Sequence, residues 1–125
     1  MVAAEAARRG YRKVGLTGTR WLVDSGVYPD RLAAHGIACT RPPDSARDAM
    51  SALIMDELVY GVFTQAGIAT FQESIEAMRV DGCDAVILGC TEIPLIINDG
   101  NSPLPTLDST RLLALAALRR ATGVV

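Results

Sequence analysis

Four residues, Ala85-Val-Ile-Leu88, constrain the fold of this chain more than any other stretch. All four are apolar, with no polar residue alternating between them, and Asp84 and Gly89 bound them. A strand with one wet face would alternate, so a short run without alternation predicts a central parallel strand covered on both faces. Parallel neighbours are joined only by crossovers, usually helical, so helices must lie between the strands. The remaining punctuation supplies them. Ala3 to Arg9 reads as a short helix closed by Gly10, and Lys13-Val-Gly-Leu-Thr-Gly18 as a buried strand entering a turn. Tyr28 to His35 reads as a helix with Pro29 in its first turn and Gly36 as its stop. Ile37 to Thr40 is a second short strand.

Asp44 or Ser45 is expected to cap a long helix reaching about Tyr60 and ended by Gly61, with Met50, Leu53, Ile54 and Leu58 at helical spacing. Ile68, Phe71, Ile75 and Met78 predict another, closed by Gly82. After the Ala85–Leu88 strand come Gly89-Cys90-Thr91-Glu92 and then Pro94, which suggests a helix start. Residues 98–105 form a loop, Pro105-Thr-Leu107 a short strand, and Asp108 or Ser109 caps a last helix carrying Leu112, Leu113, Leu115 and Leu118. Strands and helices therefore alternate, which predicts a three-layer α/β domain with a small, mostly parallel sheet flanked by helices. Ligands of such sheets bind beyond the carboxyl ends of the strands. Two turns lie there: Thr17-Gly18-Thr19 and Gly89-Cys90-Thr91-Glu92.

Partners follow from charge. Twelve basic against fourteen acidic residues give a net charge of -2. No basic face is implied, which argues against nucleic acid. The apolar stretch from Ala85 to Leu95 is interrupted by Gly89, Glu92 and Pro94 and falls far short of the roughly 20 residues of a membrane helix. Met1 to Gly10 has no apolar signal core. The three cysteines, an odd number, are read as reduced thiols in a cytoplasmic protein.

Cys90 is the foremost candidate for chemistry. A thiol at a strand end beside a helix start would have its thiolate favoured by unpaired N–H groups, making it a base or nucleophile. The alternative is a small buried hydrophobe. Thr91 could hold a carboxylate through its hydroxyl and N–H, and Glu92 could receive an ammonium group or simply cap a backbone donor. Thr17 and Thr19 flank a turn that could bind a small carboxylate; without a G-x-x-x-x-G-K-[ST] pattern it is no nucleotide loop. Asp24 and Ser25 read as loop and capping residues, Cys39 and Cys83 as packing residues, and His35 as a last-turn partner of the helix dipole. The Cys and His residues are too scattered for a zinc site.

Leu88-Gly-Cys-Thr-Glu-Ile-Pro-Leu-Ile96 resembles the second-cysteine motif of the aspartate/glutamate racemases. Val14-Gly-Leu-Thr-Gly-Thr19, the Tyr28 to Ile37 segment, Asp56-Glu-Leu58 with Gly61 and Phe63, and Leu104 to Thr110 resemble further parts of that family's second domain. The resemblance implies an amino-acid racemase of two pseudo-symmetric α/β domains. One cysteine from each faces the substrate α-carbon, and no pyridoxal phosphate or other cofactor is needed. Cys90 matches the second of these cysteines; Thr91 and the Thr17–Thr19 turn match the carboxylate contacts. Residues 1–107 then correspond to the second domain. Residues 108–125 correspond to a helix that in the family packs on the first domain, so Leu112, Leu115 and Leu118 would lack their partner. The first domain and its cysteine have no match here. Leu22 stands where many members have Thr, and no Lys occurs in Val59–Thr64, where some members have one. The expected ligand is a small amino acid or dicarboxylate, and the expected state a homo-oligomer or an assembly with a first domain. The alternatives are a non-catalytic relic or small-acid-binding module, and a hydantoin-racemase-like or decarboxylase-like member of the superfamily.

Overall fold

Ala85–Leu88 is the third strand, β3, of a four-stranded parallel sheet, and all four of its residues are buried. Successive side chains point to opposite faces. Val86 and Leu88 join one apolar cluster with Met50, Ile54, Phe71 and Ile75, whereas Ala85 and Ile87 join another with Val2, Ala6, Val14, Leu16 and Leu32. Both faces are covered, which is why the run shows no alternation.

The computed structural model describes residues 2–122. The order is α1 (Val2–Arg8), β1 (Lys13–Thr17), α2 (Arg20–Asp24), α3 (Val27–Ala34), β2 (Ala38–Thr40), α4 (Asp44–Asp56), a 3-10 turn (Leu58–Tyr60) and α5 (Gln65–Val80). After β3 come a second 3-10 turn (Ile93–Leu95), β4 (Thr106–Asp108) and α6 (Ser109–Thr122). The strands lie in the order β2-β1-β3-β4, with Thr17 opposite Leu88 and Leu88 opposite Asp108. The chain leaves β1 toward β2 on one side and β3 toward β4 on the other. The crevice between their diverging carboxyl ends is where ligands bind in open α/β sheets.

Several elements depart from the sequence expectations. The α4 helix ends at Asp56 rather than running to Tyr60, because Glu57 leaves helical geometry at φ −123° and its carbonyl accepts both the Tyr60 and Val62 N–H groups. Its N-cap is Pro43, extended at φ −59° and ψ 160°, rather than Asp44 or Ser45. Asp44 instead occupies the first turn, where it pairs with Arg47. No α-helix begins at the turn that carries Cys90: only the three-residue turn Ile93–Leu95 forms there, and Ile96 leaves helical geometry at φ −121°. The α2 helix, five residues long, is an addition; Asp24 lies within it, and Ser25 caps it by donating its hydroxyl to the Leu22 carbonyl.

The last helix starts as expected, with the Asp108 carboxylate accepting the Arg111 N–H at 3.0 Å. Leu112, expected on the outer face, instead packs half-buried on the cluster that contains Leu107 and the α1 residues. Leu113 is 57% exposed.

Candidate functional site

The two strand-end turns are laced together at the backbone. The Gly89 N–H donates to the Thr17 carbonyl at 3.0 Å, the Thr17 hydroxyl to the Ile87 carbonyl at 2.7 Å, and the Ser109 hydroxyl to the Leu88 carbonyl at 2.9 Å. Thr17 is fully buried. Its hydroxyl is committed to the sheet, so the expectation that its side chain contacts a ligand is not met: it fixes the spacing of β1 and β3 instead. Thr19 lies higher in the turn, half-buried, and caps α2 by accepting the Leu22 N–H at 3.5 Å. That role leaves its hydroxyl hydrogen available to a ligand acceptor.

Gly89 shows how close the turns approach. A Cβ built on it would stand 2.3 Å from Leu22 Cδ2 and 2.4 Å from the Thr17 carbonyl oxygen. Leu22 also covers Gly18, where a Cβ would meet the same methyl at 2.8 Å. One leucine on α2 therefore roofs both turns. No sequence pattern assigns Leu22 this role. The available signal was Thr19 as a helix cap, followed by the Arg20–Asp24 pair at i,i+4 spacing. Arg20 pairs with Asp24 and Asp48, and Arg47 pairs with Asp24 and Asp44, a network that ties α2 to α4.

Cys90 follows directly, half-buried against the cluster of Phe71 and Ile93. Burial pushes its thiol above the ordinary value, opposed by backbone N–H bonds from Ile93 and Glu92 and reinforced by the Glu92 carboxylate, which accepts from the thiol. The expected acidity from a helix dipole is thus not found, since no α-helix begins there. What remains is a sulfur facing two backbone donors and one carboxylate, an arrangement that can hold a proton and hand it on. Burial also raises Cys39 and Cys83. Thr91 is exposed and Glu92 half-buried. The structure thus brings Thr19, Cys90, Thr91 and Glu92 to neighbouring strand ends and withdraws Thr17. Lys13 pairs with Asp81 at 2.9 Å at the opposite end of the sheet. Among the described residues no group of three or more His, Cys, Asp or Glu side chains could hold a metal ion. No described helix is long and apolar enough to cross a membrane.

Comparison with known proteins gives a consistent result. The family model described as Asp/Glu/Hydantoin racemase matches residues 1–117. A glutamate racemase of Corynebacterium glutamicum is 29% identical over 101 residues, covering 75% of this chain and 32% of that protein. A Yersinia pestis crystal structure described as a candidate Asp/Glu racemase superposes with a TM-score of 0.90 at 33% identity, covering 97% of this chain and 53% of that one. An aspartate racemase homologue from Pyrococcus horikoshii OT3 superposes with a TM-score of 0.80 at 30% identity, covering 93% and 53%. The chain therefore spans about a third of that glutamate racemase and about half of these solved structures.

Proposed function

Because the chain belongs to the Asp/Glu/hydantoin racemase family, we propose that it is the second-domain half of a cytoplasmic, cofactor-independent amino-acid racemase, with Cys90 as one of its two acid–base groups. The observation that carries this reading is the position of Cys90. It is the cysteine at the carboxyl end of β3, beside the point where the chain diverges in opposite directions from β1 and β3.

Racemization exchanges the proton on an α-carbon between two faces, so it needs an acceptor on one and a donor on the other. As thiolate, Cys90 removes the α-proton; as thiol, it returns one. The N–H groups of Glu92 and Ile93 stabilise the thiolate, while the Glu92 carboxylate and burial hold the proton. That balance suits a group that must work in both directions. Thr19 and Thr91 supply hydroxyl donors to the substrate carboxylate, and Glu92 receives its ammonium group. The second acid–base group comes from a first-domain-like α/β unit docked over the crevice. The exposed Leu115 and Leu118 of α6 are the residues that meet it.

Alkylation of Cys90 by iodoacetamide, followed by mass spectrometry, tests this assignment. A bound amino acid lies over the sulfur, so it slows alkylation of Cys90 and leaves Cys39 unaffected. Equal rates with and without the amino acids tested would overturn the reading.

A further inference from the structure

Cys90 follows a peptide group that is gripped at both ends. The N–H of the Leu88–Gly89 peptide donates to the Thr17 carbonyl at 3.0 Å, and its C=O accepts the Ser109 hydroxyl at 2.9 Å. A peptide group is planar and rigid, so the two bonds fix its tilt. With it they fix the direction in which the chain leaves the sheet toward the thiol. A glycine would otherwise let the chain swing at that point. The two grips differ in what stands behind them. Thr17 belongs to the buried strand β1. Ser109 is the half-buried first residue of α6 and follows β4 directly, where Leu88 stands opposite Asp108.

The α6 helix is held lightly on this unit. Its described residues are all half-buried or exposed. Leu112 packs on the cluster that contains Leu107, while Leu113, Leu115 and Leu118 are exposed. The Asp108 carboxylate accepts the Arg111 N–H at 3.0 Å and fixes the first turn, the one that starts with Ser109. Movement of α6 therefore pulls on the Leu88 carbonyl. We propose that Ser109 is a positioning residue for Cys90: its hydroxyl ties the strand end before the thiol to α6, so the placement of the helix sets the placement of the sulfur. The inference rests on the racemase reading and adds to it how the site is set, because a unit that meets Leu115 and Leu118 acts on Cys90 through this bond. Without the hydroxyl, the Leu88–Gly89 peptide keeps its β1 grip, loses its tie to α6 and can tilt. The thiol then leaves its half-buried seat against the cluster of Phe71 and Ile93.

The test is the rate at which iodoacetamide alkylates each cysteine of the whole chain, followed against pH. Burial raises the Cys90 thiol, so Ser109→Ala, which loosens that burial, is expected to move the Cys90 midpoint down. At neutral pH it should speed Cys90 alkylation about fivefold, the population shift that one lost hydrogen bond permits. Cys39 and Cys83 keep their rates, and Ser109→Thr, which retains the hydroxyl, restores the Cys90 profile. A bond that merely stabilised the domain would change all three cysteines together. Leu112→Ala loosens α6 and leaves Ser109 in place; it is expected to move Cys90 in the same direction, and to add nothing when combined with Ser109→Ala. An unchanged Cys90 profile in Ser109→Ala, equal acceleration of all three cysteines, or full additivity of the two variants overturns this inference and leaves the racemase reading standing. Failure of every amino acid tested to slow Cys90 alkylation in the unaltered chain overturns the racemase reading instead, whatever the Ser109 variants show. If circular dichroism shows that Ser109→Ala does not fold, Leu112→Ala decides alone, and an unchanged Cys90 profile in it overturns the inference.

Discussion

Replacing Gly89 by alanine probes the joint between the two strand-end turns directly. The new methyl would stand 2.3 Å from Leu22 Cδ2 and 2.4 Å from the Thr17 carbonyl oxygen. The leucine methyl can rotate away; the carbonyl cannot, because it accepts the Gly89 N–H itself at 3.0 Å. Relief therefore requires β1 and β3 to part at the Thr17–Leu88 register. Overpacking of a tight site costs about 1–3 kcal/mol, and the weakened hydrogen bond adds about 1 kcal/mol. The expected loss is about 2–4 kcal/mol. In urea, with a slope of about 1–3 kcal/mol per molar for a small domain, the midpoint should fall by about 0.7–4 M. Combining Gly89→Ala with Leu22→Ala relieves only the contact with the methyl, so the pair should show a coupling of about 0.5–1 kcal/mol and recover part of the loss. An unchanged midpoint for Gly89→Ala, or complete recovery in the double variant, would refute the claim that the Thr17 backbone sets the close approach.

Because burial and Glu92 raise the Cys90 thiol, its alkylation should reach half-maximal rate above the ordinary thiol value of about 8.5, and Glu92→Gln should move that midpoint down; an upward shift contradicts the assignment. A thiol raised on folding contributes stability that is full below its unfolded value and lost as pH rises through its folded one, so Cys90→Ala should lose less stability above about pH 8.5 than the unaltered chain in denaturant titrations. Thr17→Val removes the buried bond to Ile87 and should cost about 1 kcal/mol while leaving amino-acid protection of Cys90 unchanged; lost protection would return Thr17 to the ligand site. The Thr106 hydroxyl and N–H hold the Asp99 carboxyl below its usual range, a contribution present above the unfolded value of about 3.9 and lost as pH falls through the folded one. Asp99→Asn should therefore flatten the fall in melting temperature on acidification, and an unchanged slope would count against that bond.

The parallel sheet was legible because Ala85–Leu88 is too short and too uniformly apolar for a one-sided strand, and because Gly36 and Gly82 close the helices that join its strands. Cys90 and its turn were legible from their place after that strand, reinforced by the LGCTEIPLI resemblance. The α2 helix was not, since five residues give no full helical period and its stability comes from Thr19 and from ion pairs to α4, a partner distant in sequence. Nor was the fate of Thr17: a threonine at a strand end reads alike whether its hydroxyl meets a ligand or a neighbouring carbonyl. The raised Cys90 thiol was hidden for a related reason. Pro94 signals a helix start, but the turn it begins ends after Leu95, and burial then outweighs the two N–H groups that remain.

The proposed movement of a proton at an α-carbon by Cys90 is tested most directly by deuterium incorporation from heavy water into a single amino-acid enantiomer, read by mass and by chiral separation. The chain alone presents one acid–base group, so it is predicted to exchange the α-proton faster than it inverts the centre, with inversion far below the about 1–10³ per second of a typical enzyme. Cys90→Ala is predicted to abolish the exchange, while Cys39→Ala and Cys83→Ala leave it intact. Exchange that survives in Cys90→Ala at the rate of the unaltered chain would contradict the claim.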